Sequence, residues 1–221
     1  MPDSILNVIP NFLLSLPQRK PAYMHFLSIG FLTFAVISAI TPGPNNVMVL
    51  ASGANFGFQK SLPHIWGVSL GFAFMVAVFG LGGGVIFTRW PIFYTLLRYG
   101  GALYLLWLAW KIANAHPHFE NAPTSSTPIS FIQAVLYQWV NPKAIIMAVA
   151  ATTLYVPLAH YYLILPIMIT AYTIITFFCL CSWAYGGTII QKLLQNSFHY
   201  RVFNIAMGIL LVLSLYPLLT E

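Results

Sequence analysis

Runs of apolar residues, each close to the roughly 20 that carry a helix across a bilayer, recur from Met24 to Leu219 of this 221-residue chain. Few charges interrupt them. Charged residues make up 5% of the chain, against roughly 25% in a soluble domain, and the mean hydropathy is +0.82. Apolar runs that fill almost the whole length leave no room for a separate soluble domain. The expected fold is an all-α integral membrane protein.

About six segments can be marked: Met24–Ala51, Leu62–Thr88, Leu96–Ala113, Ile129–Val156, Tyr161–Tyr185 and Val202–Leu219. Trp90, Tyr94, Trp110, Tyr161 and Tyr162 fall near segment ends, as an interfacial belt would. The net charge of +6 comes from basic residues scattered singly between the runs. That pattern suits headgroup anchors and not a nucleic-acid surface. Cys179 and Cys181 have a spacing that matches no metal or redox motif, and a disulfide across one residue would be strained. They read as packing residues.

The domain reading is an N-terminal extension, 1–23, followed by one transmembrane unit, 24–221. In the extension Arg19 and Lys20 follow the apolar stretch, the reverse of a signal peptide. It reads either as an interfacial segment or as an upstream extension of a protein whose working start is Met24; the second is adopted here. With six spans, Arg19, Lys20, Arg89 and Arg98 fall on one face and Lys60, Lys111, Lys192 and Arg201 on the other. Setting the extension aside breaks that tie. The positive-inside rule then places both chain ends outside and the linker around Glu120 in the cytoplasm.

Two of the segments are broken. TPGPNN, Thr41–Asn46, interrupts the first, and Asn141-Pro142-Lys143-Ala144 interrupts the fourth. Aligning Pro44 with Pro142 lays PNNVMVLA over PKAIIMAV, so each break starts a new half-helix with proline at its first position. Gly43 and Asn141 are the expected N-caps. The breaks hold corresponding places in two halves, 24–114 and 129–221, joined by a linker, 115–128. Three spans per half make the halves inverted repeats, with helices one and four discontinuous. Paired interruptions of this kind point to a transporter binding site near the bilayer midplane.

Irregular backbone at membrane depth is tolerated where it is buried in protein or lines an aqueous cavity. The first amides of each half-helix carry partial positive charge and suit an anion. Lys143 adds a full charge beside one of them, and a mid-membrane lysine marks a functional path or a paired structural site. Asn45, Asn46 and Asn141 offer donors and acceptors to a ligand bearing both an amine and a carboxylate, which describes a zwitterionic amino acid. The substrate-binding expectation is therefore Pro42, Gly43, Pro44, Asn45, Asn46, Asn141, Pro142 and Lys143. Gly67-x-x-x-Gly71 reads as a helix-packing motif that permits a homodimer. Gly80, Gly82, Gly83 and Gly84 read as close packing or a hinge. His64, two residues before Trp66, reads as an interfacial histidine or a proton relay.

At these residues the chain resembles the LysE/RhtB family of bacterial amino-acid exporters. The resemblance rests on TPGPNN, the following ASGANFGFQKSLPHIWGVSLGF, then GGALYLLWLAWK, then NPKA, and covers Met24 to the C-terminus. PGPNN with GVSLGF is most similar to the branch exporting cysteine and O-acetylserine. It implies a multi-pass efflux protein of the bacterial inner membrane, driven by the proton gradient, with Pro42, Gly43, Pro44 and Asn45 in the first motif and Asn141, Pro142 and Lys143 in the second. Many members carry an aspartate directly after PGP, where this chain has Asn45. All three acidic residues, Asp3, Glu120 and Glu221, lie outside the apolar segments. A coupling proton would then fall to Lys143, His64 or the substrate's own amine, and uniport is equally compatible.

The expected function is export of small neutral amino acids or derivatives, with cysteine and O-acetylserine foremost. The expected partners are that substrate and the lipid bilayer; no cofactor, resident metal or catalytic residue is called for. A metal-cation exporter is the nearer rival, for which only Cys179 and Cys181 could help. An intramembrane lipid-modifying enzyme would need clustered acids, a metal or an activated nucleophile.

Overall fold

The computed structural model of the protein describes residues 29–83, 91–115, 127–156, 161–194 and 196–214. The extension 1–23, Gly84, Arg89, Trp90, the side chains of Tyr94 and Arg98, most of the linker and the three acidic residues lie outside the described residues. Every regular element described is helical. Helices α1 (Ile29–Ile40) and α2 (Pro44–Phe56) meet at 53°. Next come α3 (Phe58–Val78), continued by a π-helical turn at Phe79–Gly83, and α4 (Pro91–Ala113). Helices α5 (Phe131–Gln138) and α6 (Pro142–Tyr155) meet at 64° and are followed by α7 (Tyr161–Leu193) and α8 (Ser197–Leu213).

Phe58–Gly83 and Tyr161–Leu193 are long and apolar enough to cross a membrane, and each bent pair passes the same test when taken as one span. α8 and the Ala102–Ala113 part of α4 are apolar but shorter. Every expected segment thus has a helical counterpart. Several helices run past the apolar windows: α3 starts at Phe58, α7 continues to Leu193 and α8 starts at Ser197. Backbone hydrogen bonding continues through Lys60, Lys192 and Arg201, whose long stems allow a charged head at a helix end.

Two glycines set the chain's direction. Gly57, with φ 83° and ψ 168°, takes a conformation essentially reserved for glycine and turns α2 into α3 in one residue. Gly82, with φ 92°, kinks the end of the π-helical turn. Gly80 serves a different purpose. An added Cβ there would lie 2.6 Å from Leu165 Cδ1, and its carbonyl accepts from Tyr161 at 2.6 Å. The glycine run therefore combines close packing with a kink.

Small residues let the helices approach backbone to backbone, the usual packing device inside a bilayer. On the α2–α7 contact, a Cβ at Gly53 would collide with the Ala184 carbonyl, and one at Gly187 with the Leu50 carbonyl. On the α3–α5 contact, a Cβ at Gly67 would collide with the Phe131 carbonyl, and one at Gly71 would lie 2.8 Å from Val135 Cα. Gly67-x-x-x-Gly71 is thus occupied within the chain, and a homodimer would need another surface. Large apolar residues face outward: Leu154 is 72% exposed, Leu103 69% and Phe178 65%. So broad an apolar exterior exceeds what soluble monomers expose and marks a membrane protein. Cys179 and Cys181 are free and half-buried.

Gly53→Leu should abolish the monodisperse folded peak in detergent, because backbone cannot retreat from the new side chain. Gly100→Ala meets open space and should match or exceed the wild type, by up to about 1 kcal/mol of helix propensity. Size-exclusion profiles and thermal unfolding check both.

Candidate functional site

A helix that stops inside a membrane leaves its last carbonyls without water to satisfy them. At the end of α1 each is accounted for. Ile37 O accepts from the Thr41 amide at 3.0 Å, and Ser38 O from Thr41 Oγ1 at 3.3 Å. Ala39 O accepts from Asn46 Nδ2 at 2.8 Å, and Ile40 O from Trp183 Nε1 on α7 at 3.1 Å. Thr41 O accepts from Asn46 Nδ2 at 3.0 Å and from Lys143 Nζ at 2.7 Å. Lys143 Nζ also lies 3.0 Å from Thr41 Oγ1. The lysine of one break thereby caps the helix that ends at the other.

A second tie joins the breaks. Asn45 Nδ2 donates to Gln138 Oε1 at 2.8 Å, and Gln138 Nε2 returns to Asn45 Oδ1 at 3.3 Å and donates to Ala134 O at 2.8 Å. Gly43 makes room for the arrangement: a Cβ there would lie 2.9 Å from Lys143 Cδ.

The two half-helices start as the sequence predicts, with Pro44 and Pro142 leading and Gly43 and Asn141 as N-caps. Neither cap supplies a side-chain hydrogen bond. Two other helix starts are capped by side chains, and the start of α3 behind Gly57 is not. Ser130 forms a full capping box on α5, and Asn196 accepts from the Phe198 and His199 amides on α8. The starts of α2 and α6, both without a side-chain cap, meet at a cavity. Its volume is about 50 Å³, and Gly43, Asn45, Asn46, Asn141, Lys143 and Ala144 form one part of its lining. Ser38, Tyr172 and Thr176 add further polar groups, and Val68, Phe72, Met147 and Leu180 make the rest mostly apolar. Two helix starts and an ammonium give it a positive character, and the described residues include no Asp or Glu to offset it.

Most residues expected from the sequence converge here. Pro42, Pro44 and Pro142 are not among the lining residues: Pro42 is exposed, and the other two lead α2 and α6. Asn46 lines the cavity, but its amide group is committed to two carbonyls of the break. His64 is not among the lining residues; it is fully buried on α3, and neither ring nitrogen has a hydrogen-bond partner. That placement removes the interfacial reading. Sequence reasoning missed Gln138, Ser38, Tyr172, Thr176 and Trp183. Gln138 carried a usable signal as a polar residue at the end of the run before NPKA.

The LysE type translocator family model matches residues 36–219, which takes in both breaks and every residue around the cavity. The chain belongs to the LysE-type translocator family. The resemblance carried by PGP and NPKA is borne out. Relatives of this LysE-type chain include proteins of Escherichia coli strain K12 and Shigella flexneri serotype 5b, both named cysteine/O-acetylserine efflux protein. Each is 35% identical over 188 residues, covering 83% of this chain and 92% of the relative. No solved structure matches. Among the described residues no three His, Cys, Asp or Glu side chains come together.

Asn45→Leu or Gln138→Leu alone strands a polar amide and should cost about 1–3 kcal/mol. The double substitution should recover part of that loss, since neither partner is then left unpaired. Thermal unfolding of the four proteins in detergent measures the coupling.

Proposed function

We propose that this protein is a secondary transporter, not an enzyme, that exports small neutral amino acids or derivatives such as cysteine or O-acetylserine across the bacterial inner membrane. The observation that carries the reading is the convergence of two uncapped, proline-started helices and Lys143 on one cavity in a LysE-type chain. The substrate carboxylate docks on the first-turn amides of α2 and α6. Lys143 helps from its third N–H, since two of its three donors are held by Thr41. The mostly apolar remainder of the lining suits a small, weakly polar side chain. Gly43, Asn45, Asn141 and Lys143 are the ligand-facing residues of this site, whereas Pro44 and Pro142 act by setting the helix starts.

The chain crosses the membrane six times, as two inverted three-span halves, 24–114 and 129–221. The order of the described helices supports this: a bent pair, a long helix and a third helix occur twice in succession. A cavity of about 50 Å³ is far below the roughly 300 Å³ at which ligand pockets begin, so transport requires it to widen. Toward the α2–α3 turn the walls meet through the backbone contacts at Gly53 and Gly187. Toward the other end they meet through aromatic side chains, with Phe31, Phe34 and Phe72 around Tyr172 and Tyr155 against Phe31 and Phe34. Side chains swing more easily than backbone, so the aromatic end opens first.

Cells preloaded with a labelled amino-acid panel should lose cysteine or O-acetylserine faster when they express the wild type. Lys143→Ala should cut that efflux at least about tenfold, the loss of one charge-assisted hydrogen bond. Unchanged efflux in the variant removes the assigned role of Lys143. No efflux across the panel removes the function.

A further inference from the structure

Two polar atoms at the cavity stand without partners. Asn141 Oδ1 and Thr176 Oγ1 are buried and make no hydrogen bond, and their residues are 2% and 8% exposed. Both residues line the cavity. Folded proteins leave few buried polar atoms unpaired, so each calls for an explanation.

Thr176 is the more informative of the two. A threonine within a helix ordinarily turns its hydroxyl onto a carbonyl one turn back. On α7 its neighbours do so: Thr170 donates to Pro166 O at 2.8 Å, Thr173 to Ile169 O at 2.7 Å and Thr188 to Tyr185 O at 2.7 Å. Thr176 has the same option and does not use it. Other polar groups of the lining are already engaged. Ser38 is bonded to Tyr172, Asn45 to Gln138, and Asn46 to the break carbonyls. The cavity therefore presents amide and ammonium donors from the helix starts together with two open oxygen acceptors.

We propose that Asn141 Oδ1 and Thr176 Oγ1 form the seat of the substrate's α-ammonium group. The inference rests on the transport reading above and specifies which ligands it admits. An ammonium brings N–H donors and no acceptor, so it is matched by an amide oxygen and a hydroxyl oxygen. No carboxylate among the described residues can balance its charge. The substrate's own carboxylate, held on the helix starts, does so. The site is then selective for the zwitterion: a 2-hydroxy acid lacks the ammonium, and a simple amine lacks the anion and meets Lys143 unshielded.

The test uses the full chain in liposomes, with labelled cysteine as the transported probe and its 2-hydroxy analogue, 2-hydroxy-3-sulfanylpropanoate, as competitor. The wild type should require at least about tenfold more of the analogue than of unlabelled cysteine to halve transport, as expected for hydrogen bonds to a charged group. Thr176→Val, close in shape but without the hydroxyl, should raise the KM for cysteine by about tenfold and shrink that ratio. Thr176→Ser, which keeps the hydroxyl, should restore both. A purely structural Thr176 would alter the amount of protein inserted and leave the ratio unchanged. The seat is overturned by a valine variant with wild-type KM and ratio, or by a wild type that is inhibited equally by both compounds. If the valine variant does not insert, the wild-type ratio decides alone. A wild type that moves cysteine without discriminating loses the seat but keeps the transport reading, whereas one that moves no member of the amino-acid panel loses both.

Discussion

A helix that stops within a bilayer must have its terminal carbonyls satisfied by protein, and the arrangement at the end of α1 follows from that demand. In hydrocarbon each unpaired carbonyl would cost several kcal/mol. The chain meets the demand with donors from three directions: Thr41 and Asn46 from the break itself, Trp183 from α7, and Lys143 from the second break. Those donors fix where α6 and α7 sit relative to α1. Once they are placed, Asn45 and Gln138 come within reach of each other, and the two half-helix starts face a common cavity. The capping of one helix end thereby assembles the candidate site.

The same arrangement accounts for the site's electrostatics. Lys143 spends two donors on Thr41 and stays at the cavity without a carboxylate partner among the described residues. The starts of α2 and α6 lack side-chain caps where Ser130 and Asn196 show that this chain caps other helices. On the proposed reading, the substrate's carboxylate is the acceptor for both. The open oxygens of Asn141 and Thr176 make the cavity complementary to a dipolar ligand and not to an anion alone. In the proposed site a ligand is held through fixed dipoles, with the charge of Lys143 already partly committed to structure.

Much of the fold was legible from residue types alone. Apolar length marked the helices, and proline at a first helical position marked Pro44 and Pro142, because both signals reflect local backbone chemistry. Both half-helices begin at those prolines. Helix ends set by polar residues were less legible: Lys60 and Arg201 lie inside helices although they break the apolar pattern. The small-residue motif at Gly67 and Gly71 was read correctly as packing, but its partner could not be. Gly67 lies against α5, more than sixty positions along the chain, and nothing local encodes that choice. His64 shows the same limit, since a polar residue near an apolar segment end looks interfacial until its neighbours are placed.

By itself, the sequence determined that this chain is a helical membrane protein, that two of its helices break at proline-led sites, and that it belongs with LysE-type translocators. Composition, periodicity and proline chemistry act over a few residues and are readable in one dimension. Only the tertiary structure decided that Lys143 caps α1, that Gln138 pairs with Asn45, and that Thr176 stands open at the cavity while Thr170 and Thr173 do not. Each of those depends on which helix lies opposite, and helix partners inside a membrane are chosen by close shape fit at glycines and by the need to pair every buried polar group.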